Sequence, residues 1–165
     1  MKTPKTIKNK KPKERSPKET SPKERSPKNK TIKKTTLSNK VKSKLVVCFM
    51  ELLNFIKLYH WKTKVFSQHK ATDELHEKLS ENIDQFVEVL LGKEEKRIKQ
   101  VDKKIRFYDF NNKLEFKDRL LEYREFLIGL TMLFDSSDDT DLLNIRDEML
   151  ANINQFLYLM TFDRA

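Results

Sequence analysis

Residues 60–92 read HWKTKVFSQHKATDELHEKLSENIDQFVEVLLG, and this stretch decides both the fold class and the candidate chemistry. Within it, His69 and Asp73 are four residues apart, and so are Asp84 and Glu88. Side chains at positions i and i+4 share one face of a helix, about 5–6 Å apart. Each pair could therefore contribute ligands to a single metal ion.

The two pairs also lie on one side of the predicted helix. They are separated by eleven residues, close to three helical turns, so they form a stripe along the border of the apolar face. That face consists of Leu75, Leu79, Ile83, Phe86 and Leu90. Imidazole together with carboxylate suits iron, zinc or manganese. The alternative is that these are polar surface residues beside a core, because such spacings also arise by chance.

The rest of the chain after the first 40 residues has the same helical periodicity. Apolar spacing and capping signals predict helix A from Ser38 or Asn39 to about 64, helix B over 67–91 with Ser67 as N-cap and Gly92 as C-cap, helix C over 113–134 and helix D over 139–162. Residues 93–112 contain no convincing helix. Four helices of this length predict an all-α, ferritin-like four-helix bundle with one long connection between the second and third helices.

Residues 1–40 have a different composition from the rest of the chain. They hold 13 lysines, two arginines, three glutamates and all five prolines, a net charge of +12, which leaves −2 for the remaining 125 residues. A Ser-Pro-Lys unit repeats with a period of five, and apolar residues are few. Such a segment cannot bury enough apolar surface to offset its ordering entropy. We therefore expect a disordered basic tail over 1–40 and a bundle over 41–165.

The repeats resemble the tails of histone-like proteins, in which Lys and Arg follow the phosphate backbone and binding weakens with salt. The predicted nucleic-acid-binding residues are Lys11, Lys13, Arg15, Lys18, Lys23, Arg25, Lys28, Lys30, Lys33 and Lys34. A solubilising or targeting tail is the alternative, and DNA is not distinguished from RNA. Ser16, Ser21 and Ser26 each precede proline, so they are candidate phosphorylation sites. Each phosphate would add about −1.5 to −2 in charge and weaken nucleic-acid binding.

Cysteine usage and hydropathy indicate the compartment. Cys48 is the single cysteine, so no internal disulfide can form, and it is expected to be a small core residue. No early apolar stretch is typical of a signal peptide, and no segment approaches about 18 uncharged apolar residues. We expect a protein without a membrane segment that is cytosolic, or associated with a nucleoid or virion, and is not secreted.

The motif of residues 60–88 resembles the ferroxidase motif of the Dps family, the DNA-protecting miniferritins. The resemblance rests on His60-Trp61, His69-x-x-x-Asp73 and Asp84-x-x-x-Glu88 over about 45 residues. Residues 59–64 and 68–71, YHWKTK and QHKA, are also similar to an uncharacterised Dps-like family of phages and large DNA viruses. A composition rich in Lys, Asn, Ile and Phe suits an AT-rich genome.

This resemblance implies a four-helix bundle assembled as a homo-oligomer, at least a dimer and a dodecamer if fully Dps-like. It implies iron as the metal, oxidised at sites shared across a two-fold interface. His60, His69 and Asp73 would come from one subunit, Asp84 and Glu88 from its neighbour, and Trp61 would pack beside the site. Asp73-x-x-His76 is similar to the Glu-x-x-His pattern of di-iron bundles, so His76 is a further candidate ligand.

The chain departs from the Dps pattern in three ways, the most general being that the sequence around the motif is otherwise unlike bacterial Dps. The gap between His60 and His69 is a few residues shorter, and the connection before helix C lacks the short helix that packs at the dimer interface in that family.

Three functions follow in order of preference. The first is iron oxidation and storage with nucleic-acid binding through the tail. The second is structural DNA packaging with a degenerate metal site, and the third is a helical interaction protein with neither activity.

Overall fold

The computed structural model describes residues 36–99 and 104–162, in which the secondary structure is helical and contains no strand. The helices are α1 (Asn39–Lys62), α2 (Phe66–Glu94), α3 (Lys113–Gly129) and α4 (Thr140–Leu159), with short 3-10 turns at Leu130–Met132 and Met160–Phe162. The all-α, four-helix prediction is confirmed. Residues 104–110 are not helical, as expected. Within the described part of the chain, no helix is both long and apolar enough to cross a membrane.

The start of α1 follows the predicted capping signal, whereas the start of α2 does not. The Ser38 hydroxyl accepts a hydrogen bond from the backbone N–H of Val41 at 3.3 Å, which satisfies one of the unpaired donors of the first turn. The prediction that Ser67 caps α2 is wrong. That helix begins one residue earlier, at Phe66, and Val65 occupies the N-cap position without a side-chain hydrogen bond.

The prediction that Gly92 ends α2 is also wrong, because the helix continues to Glu94. The next residue, Glu95, takes the left-handed conformation that was expected of the glycine, with φ of 53°. Tertiary contacts explain the extra turn. Lys93 binds the carboxylate of Asp141 at 2.8 Å, and the Glu94 side chain is buried against Lys42. These contacts require helical geometry beyond the glycine.

The long connection returns the chain to the end of the bundle where α1 finishes. The backbone N–H of Arg106 donates to the Glu51 carboxylate at 2.9 Å, and the Lys62 ammonium donates to the Phe110 carbonyl at 2.8 Å. α3 therefore starts at the same end as α2 and runs parallel to it. This is the ferritin-like order of helices.

Each helix contributes fully buried side chains to one core, including Phe49, Phe86, Phe116 and Met149. Near the end of α1, the Tyr59 ring stacks on Phe116 with 3.8 Å between ring centroids. This contact holds the last turn of α1 against α3, one residue before His60. Cys48 is partly buried against the same core, as expected.

Candidate metal-binding half-site

His60 and His69 face each other across the turn that joins α1 to α2. The Nδ1 atom of His60 lies 3.0 Å from the backbone carbonyl oxygen of His69, and the Nδ1 atom of His69 lies 3.0 Å from the carbonyl oxygen of His60. A carbonyl oxygen can only accept a hydrogen bond, so each Nδ1 carries the proton. In the neutral form of each ring the lone pair therefore lies on Nε2, and this is the tautomer that a metal-binding histidine needs.

The two imidazoles are also held by packing. Their rings stack with centroids 3.8 Å apart and planes 25° apart. The His60 side chain is buried and that of His69 is half-buried. The hydroxyl of Thr72, itself fully buried, donates to the Gln68 carbonyl at 2.7 Å and lies 3.0 Å from the His69 carbonyl. Both rings are therefore oriented before any ligand binds.

The backbone of the turn is anchored by a buried amide. The side chain of Gln68 accepts hydrogen bonds from the hydroxyls of Tyr59 and Thr63, the second at 2.8 Å. Because Tyr59 belongs to α1 and Gln68 to α2, these bonds set the distance between the two helices beside the histidines. The side chains of Tyr59, Thr63 and Gln68 thus hold the backbone that carries the two histidines.

Asp73 lies one turn further along α2, beside the His60 ring. Its Oδ1 is 3.8 Å from the Nε2 atom of His60 and 3.2 Å from the ammonium of Lys57. The hydrogen bond from Lys57 holds the pKa of Asp73 below its usual value, and the nearby His60 and His69 add smaller effects of the same sign. At neutral pH an ionised carboxylate therefore lies beside the Nε2 atom of the buried His60 ring.

His76 lies near the same group but not within it. Burial is the main cause that lowers its pKa, and the charge of Lys57 adds to the effect, while Asp73 opposes it. No hydrogen bond of its ring to another described residue is found. It is a neutral, half-buried imidazole on the α2 face that also carries Asp73.

Asp84 and Glu88 lie apart from this group, further along α2. The eleven residues from Asp73 to Asp84 correspond to about 16 Å along a helix axis, so one ion cannot contact both within one chain. Both side chains are exposed. Among the described residues, no group of three or more His, Cys, Asp or Glu side chains stands ready to hold a metal ion. The structure brings His60, His69 and Asp73 together and leaves the second pair separate.

Asp84 and Glu88 each line a different concave surface of the bundle. Asp84 lines an apolar groove of about 370 Å³ between α1 and α2, together with Met50 and Leu53. Glu88 lines a shallow depression with Lys96 and Arg97 at the end of α2. Trp61 is 70 % exposed, so within one chain it does not cover the imidazoles.

Sequence reasoning missed Lys57 and Thr72. Lys57 lies three residues before His60 on α1, and its contact with Asp73 depends on how α1 packs against α2. Helical spacing within one segment does not report that distance.

The basic residues predicted to bind nucleic acid, Lys11 to Lys34, and the three Ser-Pro serines lie outside the described residues. Glu51 on α1 is partly buried, and its carboxylate accepts the Arg106 N–H.

Comparison with known proteins gives one match. No curated protein and no solved structure matches the chain. A family model described as a family of unknown function, DUF5856, matches residues 60–160. The match starts at His60, includes His69 and Asp73 and extends to the end of α4. It covers more than half of the chain. The protein therefore belongs to the DUF5856 family.

Proposed function

We propose that the protein oxidises Fe(II) in the manner of a Dps-like miniferritin and binds nucleic acid through its basic tail. One observation carries the proposal: the Nδ1 atoms of His60 and His69 both donate to backbone carbonyls, which leaves the Nε2 atom of each ring available as a ligand, and the Nε2 atom of His60 lies 3.8 Å from the ionised Asp73. Metal-binding histidines characteristically donate their other ring N–H to such an acceptor. Surface histidines that merely flank a core have no need of this arrangement.

Two imidazole nitrogens and one carboxylate match the ligand set of mononuclear Fe(II) sites that keep positions open for an oxidant. Iron here is the substrate. With hydrogen peroxide as oxidant, two Fe(II) ions lose one electron each, and the peroxide takes both electrons and two protons to become two water molecules. Asp73 supplies negative charge that stabilises the ferric product more than the ferrous substrate.

A second subunit would complete the site. Asp84 and Glu88 are exposed carboxylates on the same helix as the half-site, about 16 Å or more away along its axis, so a two-fold related α2 running in the opposite direction could place them near the partner's imidazoles. The apolar groove beside Asp84, with Met50 41 % exposed on its rim, supports burial of this face. A homodimer is the minimum assembly under this proposal.

The tail supports the second part of the proposal. A net charge of +12 in residues 1–40, against −2 in the rest of the chain, concentrates the attraction for phosphate in one segment. Binding by counterion release requires no base contacts and weakens steeply with salt. Affinity for duplex DNA that does not change with salt would count against this part.

The test of iron oxidation is a pair of matched variants in full-length protein. Fe(II) and peroxide are mixed anaerobically, and ferric absorbance is followed. Asp84→Ala with Glu88→Ala should abolish rapid oxidation and leave the helix content unchanged. Asp118→Ala with Glu122→Ala removes an exposed i, i+4 acid pair from α3 and should oxidise at the wild-type rate. Equal rates in the wild type and both variants would reject the proposal.

One observation favours the alternative of a DNA-packaging protein with a degenerate site. The Lys57 ammonium occupies the position beside Asp73 where a cation would bind. If that ion pair persists at millimolar Fe(II), the carboxylate is not available as a ligand. Isothermal titration with Co(II), which does not require turnover, separates the two functions. Binding at one ion or more per subunit supports the oxidase, and no binding supports packaging.

A further inference from the structure

We propose that the folded bundle has its own contact surface for the phosphodiester backbone of a nucleic acid, at the end where α1 begins and α2 finishes. We name this surface the basic end patch. It consists of Lys40, Lys44, Lys96, Arg97 and Lys99. The inference extends the nucleic-acid role proposed for the tail, but it assigns part of the binding to residues of the bundle.

The carboxylate of Glu94 brings the two halves of the patch together. One oxygen accepts the backbone N–H of Leu37 at 3.0 Å, and the other contacts the ammonium of Lys42. The side chains of Lys42 and Glu94 are 2 % and 4 % exposed. The first turn of α1 and the last turn of α2 are therefore joined by a buried ion pair, which places the exposed cations of both segments at one end of the bundle.

The cations of the patch face solvent. Lys40 and Lys44 are both exposed and are four residues apart on α1, so they share a face. Lys96, Arg97 and Lys99 are exposed and follow directly after α2. None of the five forms an ion pair with another described residue. Long side chains that are not held by a carboxylate can reach phosphate oxygens without first breaking a contact.

The acids at this end offset part of these charges, but not all of them. Glu94 is neutralised inside the bundle by Lys42, and no acidic residue lies in the first turn of α1. Asp139 and Asp141, at the start of α4, both bind Lys93, which is not part of the patch. Glu95 is exposed, and the exposed Glu88 lines the same depression as Lys96 and Arg97, so these two carboxylates offset two of the five charges. A net positive surface remains.

Two arguments favour a nucleic acid over an anionic membrane. The patch contains no largely exposed apolar side chain, since Leu37 and Ile98 are partly buried, so it has nothing to insert between lipids. Leu37, which Glu94 holds at this end of the bundle, also follows the basic segment 1–35 in the sequence, so the tail is covalently attached beside the patch. Contacts linked in this way reinforce each other through a high effective concentration.

The experiment measures the affinity of the full-length chain for a duplex of about 30 base pairs, by fluorescence anisotropy, at several salt concentrations. Three triple variants each lose three positive charges. The patch variant carries Lys96→Gln, Arg97→Gln and Lys99→Gln. The tail variant carries Lys11→Gln, Lys13→Gln and Lys18→Gln. The control variant carries Lys64→Gln, Lys70→Gln and Lys117→Gln, all located at the opposite end of the bundle. Circular dichroism establishes that each variant is folded.

The patch variant should reduce the magnitude of the negative slope of log affinity against log salt by about 2 to 3, because each lost phosphate contact removes about 0.9 from it. The control variant should keep the wild-type slope. A wild-type slope in the patch variant with a reduced slope in the tail variant would overturn the inference and leave the tail proposal standing. Equal losses in the patch and control variants would also overturn it, because net charge alone would then explain binding. Loss of binding to phosphatidylserine vesicles with unchanged binding to the duplex would show a membrane surface instead.

Discussion

If the metal site is shared between subunits, two inactive variants should restore activity when they are combined. The first variant removes one half of the ligand set, with His69→Gln and Asp73→Asn. The second removes the other half, with Asp84→Ala and Glu88→Ala. Each variant alone should fail to oxidise Fe(II) rapidly, because every site in its homodimer lacks one half of its ligands.

The recovered fraction follows from two-fold symmetry. When equal amounts of the two variants are unfolded together and refolded, about half of the dimers pair unlike chains, and each of these has one intact site and one doubly damaged site. About a quarter of all sites, and so about a quarter of the wild-type initial rate, should return. The variants refolded separately and then mixed provide the control.

The assay is stopped-flow ferric absorbance after peroxide is added to protein loaded anaerobically with Fe(II). A co-refolded mixture that stays as slow as either variant would refute the shared site. The wild-type rate is measured in parallel, and rapid oxidation by the wild type is what makes a slow mixture a refutation of the shared site. The reasoning depends on the axial separation of about 16 Å between Asp73 and Asp84 within one helix.

Three further predictions concern single side chains. Replacing Lys57 by Met should raise the affinity of the protein for Co(II) several-fold, because the competing cation beside Asp73 is gone; an unchanged dissociation constant in titration calorimetry would show that the ion pair does not compete. Glu94→Gln should lower the free energy of unfolding by about 3 kcal/mol, because it leaves a buried ammonium unpaired, whereas the exposed neighbour Glu95→Gln should change it by less than about 0.5 kcal/mol in urea denaturation. Burial, and to a lesser extent the charge of Glu51, raises the pKa of Cys48 to about 12. Iodoacetamide at pH 8.5 should therefore alkylate the thiol of the native protein at least about a hundred-fold more slowly than the thiol of the unfolded chain. Comparable alkylation rates would contradict this. The same shift means that the unfolded chain loses the thiol proton first, so stability should fall as pH rises above 9.

The sequence predicted the helices well because their signals are local. Apolar spacing located all four helices within a few residues, and the Ser38 cap depends only on its own first turn. The end of α2 was mislocated because the deciding contacts are distant in sequence. Glu94 pairs with Lys42, 52 residues away, and this contact outweighs the preference of Gly92 for a helix end.

In the candidate site, too, the sequence predicted the features that depend on local spacing and missed those that depend on the fold of the turn. The i, i+4 spacing of His69 and Asp73 predicted their common face, and the structure brings both beside His60. The exchange of Nδ1 hydrogen bonds between His60 and His69 could not be predicted, because it depends on the conformation of a three-residue turn. The pairing of Asp84 and Glu88 with a partner subunit stays a prediction, since one chain cannot test it.

The reciprocal hydrogen bonds between His60 and His69 also bear on how this family can diverge. The groups that orient the two rings all lie between residues 59 and 72, within one hairpin of helices. α3 contributes apolar packing behind Tyr59 but no polar contact to the rings. Sequence drift in α3 and α4 that preserves side-chain volume should therefore leave the ring geometry intact. The hairpin could therefore be transplanted between helical bundles with the orientation of both imidazole rings preserved.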